Sequence, residues 1–355
     1  MSRDVDSVGE PDRLAGAPHP RQQHALVGHA EGEWAFLEGI RTGRLHHAWL
    51  IGGPQGIGKA TLAYRVARCL LALPPTGRAP QIESLDTPPD TPAARQVAAL
   101  SHPNLAVLRR APATEKKAAS ATISVDAVRS ALGVFNATAA DGGYRVCIVD
   151  SADDLTIASA NALLKVIEEP PPRSVFLIVS HAPQRLLPTI RSRCRRLLLR
   201  PLRADDVRRV IETLGEPWSE AGEDLLKGAI TLGDGSVRRT LEMLDGRKLS
   251  FVAEITAALD ALPRLDAKAV LGLAESLSRR DAEEDYELAL ETVQRWLSGR
   301  LHAQSGLGVQ RLAPLVEVCE KVARTAREVD VYNLDRRPLV LALFDDLAEA
   351  VRRTA

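Results

Sequence analysis

The chain is short of cysteine, of aromatics and of net charge. Its four cysteines, at 69, 147, 194 and 319 in 355 residues, include no C-x-x-C pair. That spacing excludes a disulfide-framed scaffold and a zinc ribbon, and it suits a reducing compartment. Aromatic side chains make up 4%, too few for the stacked platforms on which some proteins lay single-stranded nucleic acid. Lys+Arg and Asp+Glu balance at 46 each, so a polyanion binder acting through its overall field is excluded, though a local basic patch is not. No apolar run reaches the ~20 residues of a membrane-spanning helix. The first twenty residues carry acids and no apolar stretch, unlike a secretory signal. The expected location is therefore the cytoplasm, with no membrane partner. The length fits two or three domains with real cores.

Residues 1–23 are polar and rich in Pro and Gly, which predicts a disordered lead-in. A helix is expected over 31–42, with Trp34, Leu37 and Ile40 on one face. The apolar run 48–51 ends in Gly52-Gly53-Pro54-Gln55-Gly56-Ile57-Gly58-Lys59, and helical periodicity resumes through Leu62, Val66, Cys69 and Leu70. This reads as strand, glycine-rich turn, helix. Residues 74–103 read as an irregular proline-rich insertion. A strand at 105–108 and a helix at 125–135 follow. The runs 146–149 and 175–179 are apolar throughout, as buried parallel strands are. Between them a helix over 157–169 is stopped by three prolines. A last strand at 197–199 completes an α/β pattern, predicting a doubly wound parallel sheet over 24–200. From 201 on the pattern is helical: a small lid over 201–248, then an all-α domain over 249–355 with Ala289, Val293, Trp296 and Leu297 at helical spacing.

Gly53 to Ala60 matches G-x-x-x-x-G-K-[ST] except at its last place. Gly53, Gly56 and Gly58 let the backbone turn its N–H groups toward a phosphate at a helix N-terminus, and Lys59 reaches the β- and γ-phosphates. The hydroxyl that normally holds Mg²⁺ is missing at Ala60, and Thr61 stands about 100° further round the helix. The second element is the strand ending in Asp150, an acid placed to help hold the metal. Hydrolytic relatives of this loop type follow it with a glutamate that activates water; here Ser151 follows, a poor base at neutral pH. Whether Asp153 reaches that water is left open. The two losses predict little or no ATP hydrolysis, and the surviving Gly56, Gly58 and Lys59 leave two readings open, ATP or ADP binding without turnover and a glycine-rich turn with no ligand.

Two further stretches are more specific. Ser159-Ala160-Asn161-Ala162-Leu163-Leu164-Lys165-Val166-Ile167-Glu168-Glu169-Pro170-Pro171 and Thr189-Ile190-Arg191-Ser192-Arg193-Cys194 resemble the post-acid helix and the S-R-C motif of bacterial DNA polymerase III clamp-loader subunits, in the delta-prime pattern. The resemblance covers about 24–245. It implies an AAA+ module, a lid and an oligomerising collar. It also implies a pentameric ring with gamma/tau and delta subunits, acting on a sliding clamp and primed DNA. In such a ring Arg193 enters a neighbour's ATP site as an arginine finger, a role suited to an always-charged planar cation. The other reading of Arg193 is an exposed arginine among Arg191, Arg195 and Arg196. Arg238, in Gly235-Ser236-Val237-Arg238, matches the lid arginine that touches nucleotide phosphates, or is a solvated helix-face arginine. Ser180 and His181 fall near the position called sensor 1. The four-cysteine zinc module that such subunits often carry has no counterpart in 70–103, so no zinc is expected. Cys194 reads as a small buried residue. Arg109, Arg110, Lys116 and Lys117 are candidate phosphate contacts or a solvated loop.

The function expected is a non-hydrolysing clamp-loader subunit. The alternatives are an active AAA+ ATPase of gamma/tau or helicase-loader type and a small-molecule P-loop kinase, which leaves the S-R-C motif unexplained.

Overall fold

The computed structural model describes residues 10, 13–14, 16–74, 82–112, 120–136, 142–279, 282–304, 306, 308–332 and 335–354. They fall into two compact units, Met1–Glu242 and Met243–Ala355. In the first unit strands and helices alternate: α1 (Ala30–Arg41), β1 (Ala48–Gly52), α2 (Lys59–Ala72), α3 (Pro92–Ala98), β2 (Leu105–Leu108), α4 (Val125–Asn136), β3 (Arg145–Val149), α5 (Ile157–Glu168), β4 (Ser174–Ser180), α6 (Pro188–Arg193) and β5 (Arg195–Leu198). All five strands are parallel, in the order β2-β3-β4-β1-β5. Every residue of β1, β3 and β4 is buried, so their sequences are apolar without alternation. One face packs Trp49, Ile51, Ile148 and Leu177 with Phe36, Leu62, Val66 and Leu70. The other packs Leu50, Val149, Phe176 and Ile178 with Val128, Leu163, Ile167 and Ile190. Helices on both faces make the sheet doubly wound. Its parallel register also brings the C-terminal ends of β3, β4 and β1 side by side, which is where ligands bind in such sheets.

A small helical part completes this unit: α7 (Ala204–Leu214), α8 (Glu223–Gly233) and α9 (Val237–Met243). The second unit holds α10 (Gly246–Asp260), α11 (Ala267–Leu277), α12 (Glu283–Ala303), α13 (Val309–Tyr332) and α14 (Arg336–Thr354). Ile255, Leu259, Leu273, Val293, Leu297, Leu315 and Phe344 are among its buried core residues. Trp296, expected on the buried stripe, is half-buried and donates its indole N–H to Asp260 Oδ1 at 2.8 Å. The units part between 242 and 243, whereas the sequence suggested 248.

Three expectations change. Trp34 is 60% exposed while Phe36, Leu37 and Ile40 are buried. At ~100° per residue, positions 34 and 40 are about 120° apart, so both cannot point to the centre of one face. The segment 1–23 is not a loose lead-in where it is described; residues 1–9, 11–12 and 15 lie outside the described residues. Pro20–Gln22 form a 3-10 turn capped by His19, whose Nδ1 accepts from Arg21 N at 3.1 Å. Arg68 of α2 is buried and donates to the carbonyls of Arg21 (3.0 Å) and Gln23 (2.6 Å). Glu10 takes Arg21 Nη1 at 2.7 Å and Arg109 Nη1 at 3.1 Å. A segment with few apolar residues is thus ordered by its carbonyls, which satisfy a guanidinium that burial would otherwise leave costly. The proline-rich insertion is likewise not irregular throughout, although 75–81 lie outside the described residues. Thr91 caps α3 and Pro92 opens it, the one place where a proline favours a helix. Leu85 and Val97 join the main core, and Asp86 accepts from Arg65 Nη2 at 2.5 Å.

The N-terminal fastening makes stability depend on pH. Burial, with the charge of Arg21, pushes His19 down to about 4. Burial alone would raise the Glu10 carboxyl, but the hydrogen bond from Arg21 and the charges of Arg109 and Arg21 hold it at about 2. Both folded values lie below the unfolded ones, so the stabilisation is complete above about pH 6.5. It is lost as pH falls, through His19 between about 6.5 and 4 and through Glu10 below about 4.5. Thermal denaturation from pH 7 to 4.5 is expected to show a falling midpoint, with His19 alone worth up to about 3 kcal/mol. His19→Asn should flatten that slope.

Candidate functional site

The loop after β1 is built on backbone that only glycine adopts easily. Gly53, Gly56 and Gly58 have φ of +142°, +76° and +102°. A Cβ on Gly56 would lie 2.6 Å from Arg238 Cβ. Lys59 opens α2 and is 3% exposed. Its Nζ donates to Gly53 O at 2.7 Å and to Pro54 O. Burial lowers its pKa to about 8, against the pull of the Asp150 and Asp153 carboxylates. His29, just before α1, sets Nε2 2.6 Å from Ile57 O and braces the loop from behind. From the lid side, Val237 N donates to Gly56 O at 3.0 Å, joining the start of α9 to the loop.

Asp150 is buried directly after β3. Asp153 is more fully committed. Its Oδ1 accepts from Ser180 Oγ (3.0 Å) and Ala182 N (2.9 Å), and its Oδ2 accepts from His181 N (2.7 Å) and Ser151 Oγ (3.1 Å). Burial works to raise this carboxyl, but the two amides and the Ser180 hydroxyl outweigh it and hold it below the usual range. A carboxylate tied on both oxygens stitches the end of β3 to the end of β4 and is a weak proton acceptor. Ser180 is part of the same stitch. His181 borders the cavity described next, its pKa pushed to about 4 by burial and by the charge of Lys59.

A cavity of about 190 Å³ opens at these strand ends. Its lining includes Gln55 to Thr61 of the loop with Asp150, His181 and Arg238. Its apolar lining includes Leu26 and Val27 before α1, with Leu202, Val210 and Leu214 at the lid. The N-terminal segment contributes Leu14, Ala17 and Pro18. Amides at a helix N-terminus beside an ammonium suit phosphates, and an apolar slot suits a flat base. The residues therefore fit a nucleotide. They fit its Mg²⁺ less well, because Ala60 offers no hydroxyl and Asp150 is the carboxylate that remains.

Of the residues singled out from sequence, the structure brings together Gly56, Gly58, Lys59, Thr61, Asp150 and Arg238 around one cavity, with Gly53 bonded to Lys59. Arg238 turns its Nε to Glu242 Oε1 at 3.1 Å. Arg193 does not border that cavity. It lies on α6, exposed, with Nη2 2.8 Å from Glu168 Oε1 of α5 and Nη1 donating to Thr189 O at 3.2 Å. Cys194 is buried, and burial pushes its thiol up to about 12. Arg109 pairs with Glu10 and Arg110 with Asp154 at 3.2 Å; Lys116 and Lys117 lie outside the described residues. Sequence reasoning missed His29 and the apolar wall of Leu26, Val27, Val210 and Leu214. These are ordinary residue types, and only the fold gathers them. Among the described residues there is no cluster of His, Cys, Asp and Glu that could hold a metal ion.

A five-stranded parallel sheet in this order, a phosphate loop between β1 and α2, an acid ending β3 and a helical lid on the loop define an AAA+ P-loop module. The family described as "DNA polymerase III, delta subunit" matches residues 30–203. A delta' subunit of Yersinia pestis is 30% identical over 293 residues, 80% of this chain and 79% of that protein. A delta' subunit of Pseudomonas aeruginosa is 34% identical over 221 residues, 60% of this chain and 63% of that one. A gamma/tau subunit of Mycobacterium tuberculosis is 32% identical over 260 residues, 67% of this chain and 42% of that one. The match thus spans less than two thirds of the latter two proteins. Among solved structures, a gamma subunit-related protein of Thermotoga maritima aligns with a TM-score of 0.41 at 18% identity, covering 91% of this chain and all of that one. The chain belongs to the family of DNA polymerase III clamp-loader subunits.

The lid contact gives a direct test. Gly56→Ala puts a side chain at positive φ and against Arg238, which should cost about 1–2 kcal/mol of stability. Amide exchange at Val237 should speed up, read by hydrogen–deuterium exchange. Gly133→Ala, in a helix with no atom within 4 Å of the new Cβ, should leave stability unchanged or raise it by about 0.5–1 kcal/mol.

Proposed function

We propose that this chain is a delta-prime-type subunit of a clamp loader. It holds ATP or ADP without turning it over and presents Arg193 to the ATP site of a neighbouring gamma/tau subunit. The observation that carries this reading is Asp153. It is the acid nearest after Asp150 in sequence, and both its oxygens are occupied by Ser151, Ser180, His181 and Ala182. With Ser151 in the glutamate's place and Ala60 in the hydroxyl's place, the site keeps the means to bind and lacks a free base. Gly53, Gly56 and Gly58 shape the loop, Lys59 meets the phosphates, and Thr61 borders them. Asp150 stands where the metal would be, Arg238 at the lid. A bound nucleotide supplies the phosphate charge that neutralises Lys59 and joins lid to loop. The helices from 201 to 242 are the lid, and the unit Met243–Ala355 is the collar through which it joins gamma/tau and delta subunits in a pentameric ring. The complex acts in the cytoplasm on a sliding clamp and primed DNA, with phosphate contacts made by the assembly. An exposed Arg193, held by exposed Glu168 and by Thr189 O and Ser192 Oγ of its own helix, can be taken up by a neighbour's phosphate, a stronger acceptor than a solvated carboxylate.

The retained Gly56, Gly58 and Lys59 also suit a gamma/tau-type motor, and the test separates the two. The loader is reconstituted with gamma/tau, delta, clamp and primed DNA, and ATP hydrolysis is measured for wild type, Arg193→Ala and Lys59→Ala. The isolated chain is expected to bind nucleotide, to lose at least about tenfold in affinity in Lys59→Ala, and to turn nothing over. In the loader Arg193→Ala should cause the larger loss of hydrolysis, since a missing finger costs about 10³–10⁵ at the one site it serves in studied GTPases. A loss confined to Lys59→Ala would establish the motor reading instead.

A further inference from the structure

The edge of the sheet at β5 lies apart from the cavity and is not used by the site. Among the described residues β5 pairs with β1 alone, in the register Trp49↔Arg195 to Gly52↔Leu198, and the sheet order ends with it. Leu199 N donates to Gly52 O at 2.8 Å. In a parallel ladder alternate residues bond to the same neighbour, so Arg195, Leu197 and Leu199 turn their peptide groups to β1. Arg196 and Leu198 turn theirs to the open side. Among the described residues no backbone group bonds to the N–H of Arg196 or of Leu198 from that side. Leu198 is 65% exposed, one of the few large apolar side chains so placed.

The charge around this edge is one-sided. From 170 to 204 the sequence holds eight arginines and no Asp or Glu. Arg193 is paired with Glu168, and Arg195 lies over the Trp49 ring at 4.7 Å. Among the described residues no carboxylate lies within ion-pair distance of Arg185, Arg195, Arg196, Arg200 or Arg203, all exposed. Charged residues on an edge strand do discourage pairing between copies of a chain. Here like charges would meet if two copies joined through β5. The same arginines attract an acidic strand, and an open backbone edge with an exposed leucine offers it hydrogen bonds and an apolar seat. A nucleic acid backbone would use the charge but neither of the other two.

We infer that the β5 edge is a docking site for an extended acidic segment of a partner protein, which adds to the sheet as a sixth strand. Its backbone bonds to Arg196 and Leu198, one apolar side chain covers Leu198, and its carboxylates face Arg196 and Arg200. This is strand addition, in which main-chain bonds give affinity and flanking side chains give selectivity.

The probe is a fluorescein-labelled alternating Glu-Val hexapeptide titrated onto the full chain by anisotropy, with hydrogen–deuterium exchange of the segment spanning β5. Binding should slow exchange across β5. It should weaken by about tenfold in Arg196→Glu/Arg200→Glu, whose positions are exposed and whose fold is checked by circular dichroism. It should vanish when the peptide's edge-facing amides are N-methylated. Absence of binding at about millimolar peptide would overturn the inference. So would equal binding of the N-methylated peptide, or displacement by an oligonucleotide of the same charge, because either shows a surface that reads charge alone. A concentration-dependent dimer of the chain that disappears in Leu198→Asp would assign the edge to a second copy, and also overturn it.

Discussion

A lysine ammonium buried at the first residue of a helix is the constraint around which this site is arranged. Lys59 stands at the positive end of α2, where the helix dipole opposes a cation. Burial brings its pKa to about 8. The folded value is below the unfolded one near 10.5, so at every pH below about 8 folding carries the full penalty, on the order of 3 kcal/mol. That net figure already includes the pull of Asp150 and Asp153, without which burial would lower the pKa further, while the carbonyls of Gly53 and Pro54 accept the ammonium's protons. Such a cation has more to gain from an anion than an exposed lysine has, since the anion meets a charge already stripped of water.

That constraint explains why the neighbouring groups are so fully bonded. The loop has to hold its carbonyls toward Lys59 and its amides outward, so it is braced from two directions. His29 holds Ile57 O and Val237 N holds Gly56 O. The second brace comes from the lid, where the start of α9 turns Val237 N and, at 3.5 Å, Arg238 N toward Gly56 O. Asp153 plays the corresponding part on the other side, locking the turn after β3 to the end of β4. The price of that rigidity is the loss of Asp153 as a base.

Much of this was legible in the sequence, for a physical reason. A strand buried on both faces is apolar along its middle, with polar residues kept to its ends, so β1, β3 and β4 announced themselves, and the glycine-lysine loop between β1 and α2 marked where a phosphate would lie. What stayed hidden depends on contacts between distant segments. Leu26 and Val210 are generic core types until the lid folds beside the segment before α1. Asp153 looked like a possible base because sequence shows a carboxylate and not its partners. The N-terminal segment read as disordered because its order comes from backbone carbonyls gripping Arg68, an interaction that leaves no trace in hydrophobic patterning.

The two arginines at issue illustrate how position, not residue type, decides a role. Arg238 borders the chain's own cavity and is partly restrained by Glu242. It can respond only to what that cavity holds. Arg193 ends a helix outside the cavity, and its partner Glu168 is exposed in turn. An exposed ion pair is worth about 0–1 kcal/mol, so it neither fixes the guanidinium nor resists its capture by a more highly charged acceptor. An arginine held this weakly, and bordering no cavity of its own, is left open to an anion from outside the chain. The same fold that ties both oxygens of Asp153 to the end of β4 leaves the guanidinium of Arg193 exposed outside the cavity.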